Sequence, residues 1–191
     1  PDLHVVWQDN RDGVAANNNE VDNYEVYYKR SLDSGRSWSL RPVTRNITQG
    51  NKRLTQNISF SYLPAVAAAG SVVHVVWSDA RENNFEIYYK RSPDGGLHWE
   101  PDRRLTNTPA PSTLPSVSVQ GSGVHVVWQE NLSGNREIFY KRSLDAGITW
   151  GEDIRLTNHP SFSTAPSIAT LDRGVHVVWS DYRDGNQEIY Y

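Results

Sequence analysis

The tetrapeptide His-Val-Val-Trp occurs four times, at His4–Trp7, His74–Trp77, His125–Trp128 and His176–Trp179, with spacings of 70, 51 and 51 residues. A second motif, Glu-(Ile/Val)-(Tyr/Phe)-Tyr, keeps step with it at Glu25–Tyr28, Glu86–Tyr89, Glu137–Tyr140 and Glu188–Tyr191, and Arg-Leu-Thr begins at Arg53, Arg104 and Arg155. The repeating unit is therefore 51 residues. The first copy is 19 residues longer, 9 of them between Trp7 and Glu25 and 10 between Trp38 and Arg53. A repeat of this period builds one supersecondary unit again and again, and each unit buries its faces against its neighbours.

Within a unit the residues read as four strands separated by Gly, Asn, Ser and Pro clusters. In the third copy these are Leu114–Gln120 (strand A), the valine-rich Gly123–Gln129 (strand B), the alternating Glu137–Arg142 (strand C) and the more polar Thr149–Leu156 (strand D). Strand B is apolar on both faces, as expected of a strand sandwiched between two neighbouring sheets. No stretch has a helical period. The expected fold is all-β, a β-propeller of four-stranded antiparallel blades with a 51-residue repeat and about three and a half blades. Residues 1–191 form one propeller segment: 1–56 supply strands B-C-D of the first blade, 57–107 the second, 108–158 the third, and 159–191 strands A-B-C of the fourth.

Composition narrows the function. The chain has no cysteine, which excludes disulfides, thiolate metal sites and a cysteine nucleophile. A net charge of −3 spread along the chain argues against a nucleic-acid partner, and no apolar run is long enough to insert in a membrane. The start at Pro1, without a leader, is expected of a processed or excised piece.

Between strands C and D, Ser-x-Asp-x-Gly-x-x-Trp occurs three times, at Ser31–Trp38, Ser92–Trp99 and Ser143–Trp150. Asp33, Asp94 and Asp145 are placed to accept N–H groups of their own turn. Gly35, Gly96 and Gly147 suit a left-handed backbone, and Trp38, Trp99 and Trp150 can pack over the hairpin. The pattern resembles the Asp-box, the bacterial neuraminidase repeat of the sialidase superfamily, and the likeness spans essentially the whole chain. In that family the Asp-box is a structural turn away from the catalytic face, which implies a scaffold role for these nine residues. The resemblance also implies three arginines gripping a substrate carboxylate, a tyrosine nucleophile assisted by a glutamate, and an aspartate acid/base. The family's first arginine opens strand A before a proline. Here the matching stretches read Tyr62-Leu63-Pro64, Thr113-Leu114-Pro115 and Ala165-Pro166, with the proline kept and the arginine absent.

The loops joining strands B and C carry a different set. They read Asp9-Asn10-Arg11, Asp79-Ala80-Arg81, Glu130-Asn131-Leu132 and Asp181-Tyr182-Arg183. In a propeller the B–C and D–A loops share one rim, so Asp9, Arg11, Asp79, Arg81, Glu130, Asp181 and Arg183 are the candidate ligand-binding residues. A structural role competes with this, each arginine pairing with the aspartate two residues earlier or with Glu25, Glu86 or Glu188. Two places break the repeat: Val14–Asp22 extends the first B–C loop, and a longer connection occupies Leu40–Lys52. A long polar loop on a rim suits a lid or specificity element. Asn107–Thr113 and Asn158–Thr164 add His159, Phe162 and several hydroxyls, groups that suit sugars.

The four motif histidines are expected in the blade core, and the pairs Lys29-Arg30, Lys90-Arg91 and Lys141-Arg142 at solvated strand edges. Asp181–Asn186 faintly resembles a calcium loop but contains Arg183, so neither a metal nor a cofactor is expected. Asn46, Asn57 and Asn131 head glycosylation sequons. Three functional readings stand: a sialidase-like propeller, extracellular or cell-surface as the resemblance implies, that binds a glycan or other polar ligand on its rim; an exo-α-sialidase with key groups in other blades; and a protein-interaction scaffold. The catalytic residues stay unassigned. Further blades of the same gene product, or self-association, are expected to close the ring.

Overall fold

The structure, a computed structural model, describes residues 2–11, 23–38, 51–132 and 134–191. Among the described residues there are fourteen strands in four antiparallel sheets. The first sheet holds β1 (Leu3–Asp9), β2 (Glu25–Ser31) and β3 (Lys52–Arg53). The second holds β4 (Ser61–Ala69), β5 (Val72–Asp79), β6 (Glu86–Ser92) and β7 (Arg103–Arg104). The third holds β8 (Ser112–Gln120), β9 (Gly123–Leu132), β10 (Asn135–Ser143) and β11 (Ile154–Arg155). The fourth holds β12 (Ser163–Leu171), β13 (Gly174–Asp181) and β14 (Glu188–Tyr190). The B-C-D, A-B-C-D, A-B-C-D and A-B-C order read from the repeats is the order observed.

Strand D is much shorter than the sequence reading. Of Thr149–Leu156 only Ile154–Arg155 pairs with strand C. Thr149 closes the preceding turn on Asp145, and the Gly151 N–H donates to the Arg142 carbonyl before the chain can run extended. Strands A, B and C of that blade are correspondingly longer.

The register is the same in every sheet. The motif tryptophan of strand B faces an aromatic of strand C: Trp7 opposite Tyr27, Trp77 opposite Tyr88, Trp128 opposite Phe139 and Trp179 opposite Tyr190. Alternation then sends successive valines to opposite faces. Val76, Tyr89 and Leu105 of the second blade meet Val124, Val126 and Trp128 of the third. Val26, Tyr28 and Leu54 of the first meet Val73, Val75 and Trp77 of the second. Val127 and Ile138 of the third meet Ile168, Val177 and Trp179 of the fourth. The hydrophobic core thus lies between blades, not within one, and each fully buried valine or larger side chain contributes about 1.5–3 kcal/mol.

The histidines lie in strand B, each with Nδ1 on a strand C tyrosine hydroxyl: His4 with Tyr28 at 2.7 Å, His74 with Tyr89 at 2.8 Å, His125 with Tyr140 at 2.7 Å and His176 with Tyr191 at 2.7 Å. Of the Lys-Arg pairs, Arg142 is exposed as expected, but Lys90 and Lys141 depart from the solvated-edge expectation. Lys90 donates to the Leu54 carbonyl of the preceding blade and pairs with Asp102 at 2.8 Å. Lys141 repeats this with the Leu105 carbonyl and Asp153 at 2.9 Å. Both ammonium groups are mostly buried, because their stems lie along the apolar seam while their heads satisfy a carbonyl.

Candidate functional site

Two opposite ends of the blades can be told apart by their hydrogen bonds. At one end the A–B turns meet the C–D turns, with the Gly95 N–H donating to Ser71 O at 2.6 Å and Ala146 N–H to Ser122 O at 2.8 Å. At the other, the B–C and D–A loops are joined: Ala80 N–H to Phe60 O at 3.0 Å, Asn131 N–H to Pro111 O at 3.0 Å and Tyr182 N–H to Phe162 O at 3.1 Å.

The Ser-x-Asp-x-Gly-x-x-Trp turns occupy the first end. Ser31, Ser92 and Ser143 donate to the turn aspartate at 2.7, 2.9 and 2.7 Å. The same hydroxyls accept the N–H of Gly35, Gly96 and Gly147 at 2.9, 2.8 and 2.9 Å. Asp33, Asp94 and Asp145 each accept the N–H four residues on at 2.8 Å. Hydrogen bonds from Ser37 and Ser31 hold the Asp33 carboxyl down at about 2, and those from Thr149 and Ser143 hold Asp145 lower still. Every carboxylate here is occupied by its own turn. Trp99 packs edge-on against Tyr28 of the preceding blade with centroids 4.9 Å apart, and Trp150 against Tyr89 at 5.0 Å. Trp38, in the first blade, is half-buried.

The candidate binding residues lie at the second end. Each acid sits two residues after the motif tryptophan, on the same face of strand B, and accepts its indole N–H: Trp7 to Asp9 at 3.2 Å, Trp77 to Asp79 at 2.7 Å, Trp128 to Glu130 at 3.2 Å and Trp179 to Asp181 at 3.0 Å. Arg81 grips Asp79 through Nε at 2.8 Å and Nη2 at 2.7 Å, and Arg183 grips Asp181 at 2.9 and 2.7 Å. Arg11 pairs with Asp9. These guanidinium groups also lie over strand C rings, Arg81 on Tyr88 and Arg183 on Tyr190, each 4.2 Å from the centroid. Burial pushes Asp79 up, but its bonds from Arg81 and Trp77 outweigh this and hold it below the ordinary range. Side-chain bonding to Arg183 does the same for Asp181. The arginine faces that could grip a ligand bidentately are already turned to their own aspartates.

Glu130 differs. Leu132 stands where the other blades have arginine, and no cation pairs with Glu130 among the described residues. Ser112 Oγ lies 3.5 Å away, and burial pushes the carboxyl up.

The glutamate that opens strand C is served by the Arg-Leu-Thr motif, a partnership that the sequence reading left unassigned. Arg104 Nη2 donates to Glu86 at 2.8 Å and Arg155 Nη2 to Glu137 at 2.8 Å, while Arg53 pairs with Glu25. The motif threonine, Thr55, Thr106 or Thr157, donates to the same carboxylate and accepts the next strand C N–H. The signal for it is long-range: the two motifs recur together, 18 residues apart in the second and third blades and 28 in the first.

Strand A enters this end through a bulge. Leu63, Leu114 and Ala165, each before a proline, have φ of 53°, 55° and 50°, and the ladder shifts register there in all three blades. A non-glycine residue in this region is strained, which bulges near functional rims often are.

The junctions between successive blades share one backbone but differ in side chains. At the first the rim shows Tyr24, Phe60 and Ala80; at the second Phe85, Pro111 and Asn131; at the third Arg136, Phe162 and Tyr182. The third is hollowed into a cleft of about 570 Å³ lined by Arg136, Pro160, Ser161, Phe162, Tyr182 and Gly185. Nothing in the repeats points to Arg136, which stands where the other blades have Tyr24, Phe85 and Gln187.

Val14–Asp22 and all of Leu40–Lys52 but its last two residues lie outside the described residues, as do the Asn46 sequon and Ser133 of the Asn131 sequon. Asn57 turns its amide inward, donating to Ser61 at 3.0 Å and Asp79 at 3.3 Å. Among the described residues no group of three or more His, Asp or Glu side chains could hold a metal, and no helix is long and apolar enough to cross a membrane.

No protein-family model and no curated protein matches the sequence. Solved structures do match the fold. The K499G mutant of NanB sialidase from Streptococcus pneumoniae aligns over 87% of this chain at 15% identity with a TM-score of 0.50. An α-L-arabinofuranosidase from Lactobacillus brevis aligns over 83% at 13% identity with a TM-score of 0.53. The chain spans 28% of the length of the first and 55% of the second. At such identities the likeness concerns backbone alone, and what it establishes is a sialidase-like β-propeller fold.

Proposed function

We propose that this chain is an extracellular or cell-surface sialidase-like propeller segment whose B–C/D–A rim binds a glycan or another polar ligand, without a complete hydrolytic set in these blades. One observation carries the reading: at that rim a constant backbone presents different side chains at each blade junction, whereas the opposite end repeats one turn three times. A scaffold that keeps its frame and varies its surface is suited to recognition. Asp9, Arg11, Asp79, Arg81, Glu130, Asp181 and Arg183 frame the rim in this reading.

A hydrolase reading draws on Glu130, a carboxyl kept protonated to higher pH by burial, as a general acid must be. Glu130 is only 3% exposed, with its oxygens turned to Trp128 and Ser112, so it is not presented to a substrate.

The outer faces bear on partners. Leu3 and Val5 are each 40% exposed where Val73 and Val75 are fully covered, and Ile189 is 73% exposed where Ile87 is covered. Further blades, of the same gene product or a second copy, cover these faces in this proposal.

A glycan-binding screen run beside a fluorogenic sialoside assay tests the reading. Saturable glycan binding without turnover supports it. Turnover abolished by Arg81→Gln or Arg183→Gln overturns it in favour of the hydrolase, and neither binding nor turnover favours a protein-interaction scaffold.

A further inference from the structure

We infer that the cleft at the third blade junction is a subsite for a hexuronate unit of an acidic polysaccharide, held by Arg136, Phe162 and Tyr182. This deepens the rim-binding reading and rests on it.

Three observations converge. First, Arg136 differs from the other rim arginines in its partners. Arg11, Arg81 and Arg183 are each paired with an aspartate, but among the described residues no carboxylate pairs with Arg136. Its guanidinium lies 5.4 Å from the Phe162 centroid, which holds it at the cleft edge with its donor fork available. Second, Phe162 and Tyr182 meet edge-to-face with centroids 6.4 Å apart and remain 41% and 39% exposed. The Tyr182 hydroxyl donates to Gln187 Oε1 at 3.1 Å, which fixes the ring. Third, Gly185 lines the cleft with a φ of 88° and open space where a side chain would stand, so the backbone itself faces the cleft at that point.

The chemistry follows from the shapes. Exposed aromatic faces fixed at an angle accept the apolar C–H face of a pyranose, which is flat and rigid. A guanidinium at the edge of that surface grips a planar carboxylate through two parallel N–H bonds. A hexuronate carries its carboxylate at the ring edge, so stacking and the ion pair are satisfied together. Of the nearby carboxylates, Glu137 is held by Arg155, while Asp184 accepts only the neutral Tyr190 hydroxyl and keeps its charge, which the Arg136 ion pair must outweigh. A cleft of about 570 Å³ is within the usual range for ligand sites, about 300–1,000 Å³. Its lining residues Pro160, Phe162, Tyr182 and Gly185 are exposed, which suits a sugar inside a chain better than a buried terminal one.

The test is a ligand titration followed by NMR shifts, using methyl β-D-glucuronoside, methyl β-D-glucoside, a methyl sialoside and inorganic phosphate. The glucuronoside is expected to saturate, with the glucoside at least tenfold weaker. Arg136→Gln should erase that preference, and Phe162→Ala should abolish binding of both sugars. Both residues are exposed, so neither variant threatens the fold. Equal affinity for glucuronoside and glucoside, or for glucuronoside and phosphate, overturns the assignment, as does a preference for the sialoside. Sugar binding that survives both variants and shifts resonances elsewhere on the rim removes this subsite and leaves the rim reading standing. No binding of any sugar, in the titration or in the screen, removes both.

Discussion

Tyr89 of the second blade fills the space that a Cβ on Gly147 of the third blade would occupy. Tyr28 stands in the same relation to Gly96, and its hydroxyl donates to the Gly95 carbonyl at 3.2 Å. The turn glycine is therefore needed twice, once for its own φ of 86–89° and once to receive a ring from the blade before it. Gly147→Ala should cost about 2–4 kcal/mol, strain plus overpacking. Gly121→Ala, at a φ of 58° with nothing within 4 Å, should cost only about 1 kcal/mol. Urea unfolding of both variants checks the difference. Combining Gly147→Ala with Tyr89→Ala should destabilise by at least about 1 kcal/mol less than the sum of the single changes.

Glu86 is fully buried, with Arg104 and Thr106 as its partners. Arg104→Ala leaves that carboxylate without its cation and should destabilise by about 3–5 kcal/mol. Adding Glu86→Gln should recover part of the loss, which calorimetric unfolding of the single and double variants measures. Equal stability of Arg104→Ala and the parent would refute the clamp.

Glu130 should be a liability above acidic pH. Burial raises its folded-state pKa above the ordinary glutamate value, so the native state binds the proton more tightly than the unfolded chain. Its penalty is absent below about pH 4 and develops as pH rises through the ordinary value towards the folded one. Glu130→Gln, whose amide oxygen can still accept the Trp128 N–H, should therefore stabilise the fold at pH 7 and add nothing at pH 3. Unfolding midpoints across that range decide it.

His74 should make the fold sensitive to mild acid. Burial, with a smaller push from Arg91, lowers its pKa to about 4. An unfolded histidine takes its proton near 6.5, so stability is full above that pH and is lost as pH falls towards about 4. The loss should be on the order of 2 kcal/mol, and His74→Gln should flatten it. A parent curve with no slope between pH 6.5 and 4 would contradict the neutral, buried state.

The blades were readable because each repeats its signals: the alternation of strands B and C, the proline near the start of each strand A and the glycine-bearing turns place fourteen strands in order. Strand D was overextended because Thr149 and Gly151 look extended in isolation but are spent on closing the turn. On the rim, the pairing of Arg81 with Asp79 was one of two readings that two-residue spacing allows, and only the distances show how fully the guanidinium is taken. The Arg104–Glu86 clamp spans 18 residues and two strands, a distance that no local pattern encodes. Arg136 escaped notice for the opposite reason: attention to periodicity passes over a residue that occurs once. Its partner Phe162 was visible as a loop aromatic, but the cleft forms only where Phe162 and Tyr182 of the fourth blade meet Arg136 of the third.

The tyrosine-to-glycine contact has a consequence for how such molecules change. Because the second sheet carries both a plug, Tyr89, and a socket, Gly96, removal of that complete unit would bring Tyr28 to Gly147 as a matching plug and socket. Insertion of one does the same. Evolution by unequal crossing-over at such a unit can thus shorten or lengthen the array while the plug-and-socket seams stay intact, leaving the peculiarities of each rim junction free to drift independently.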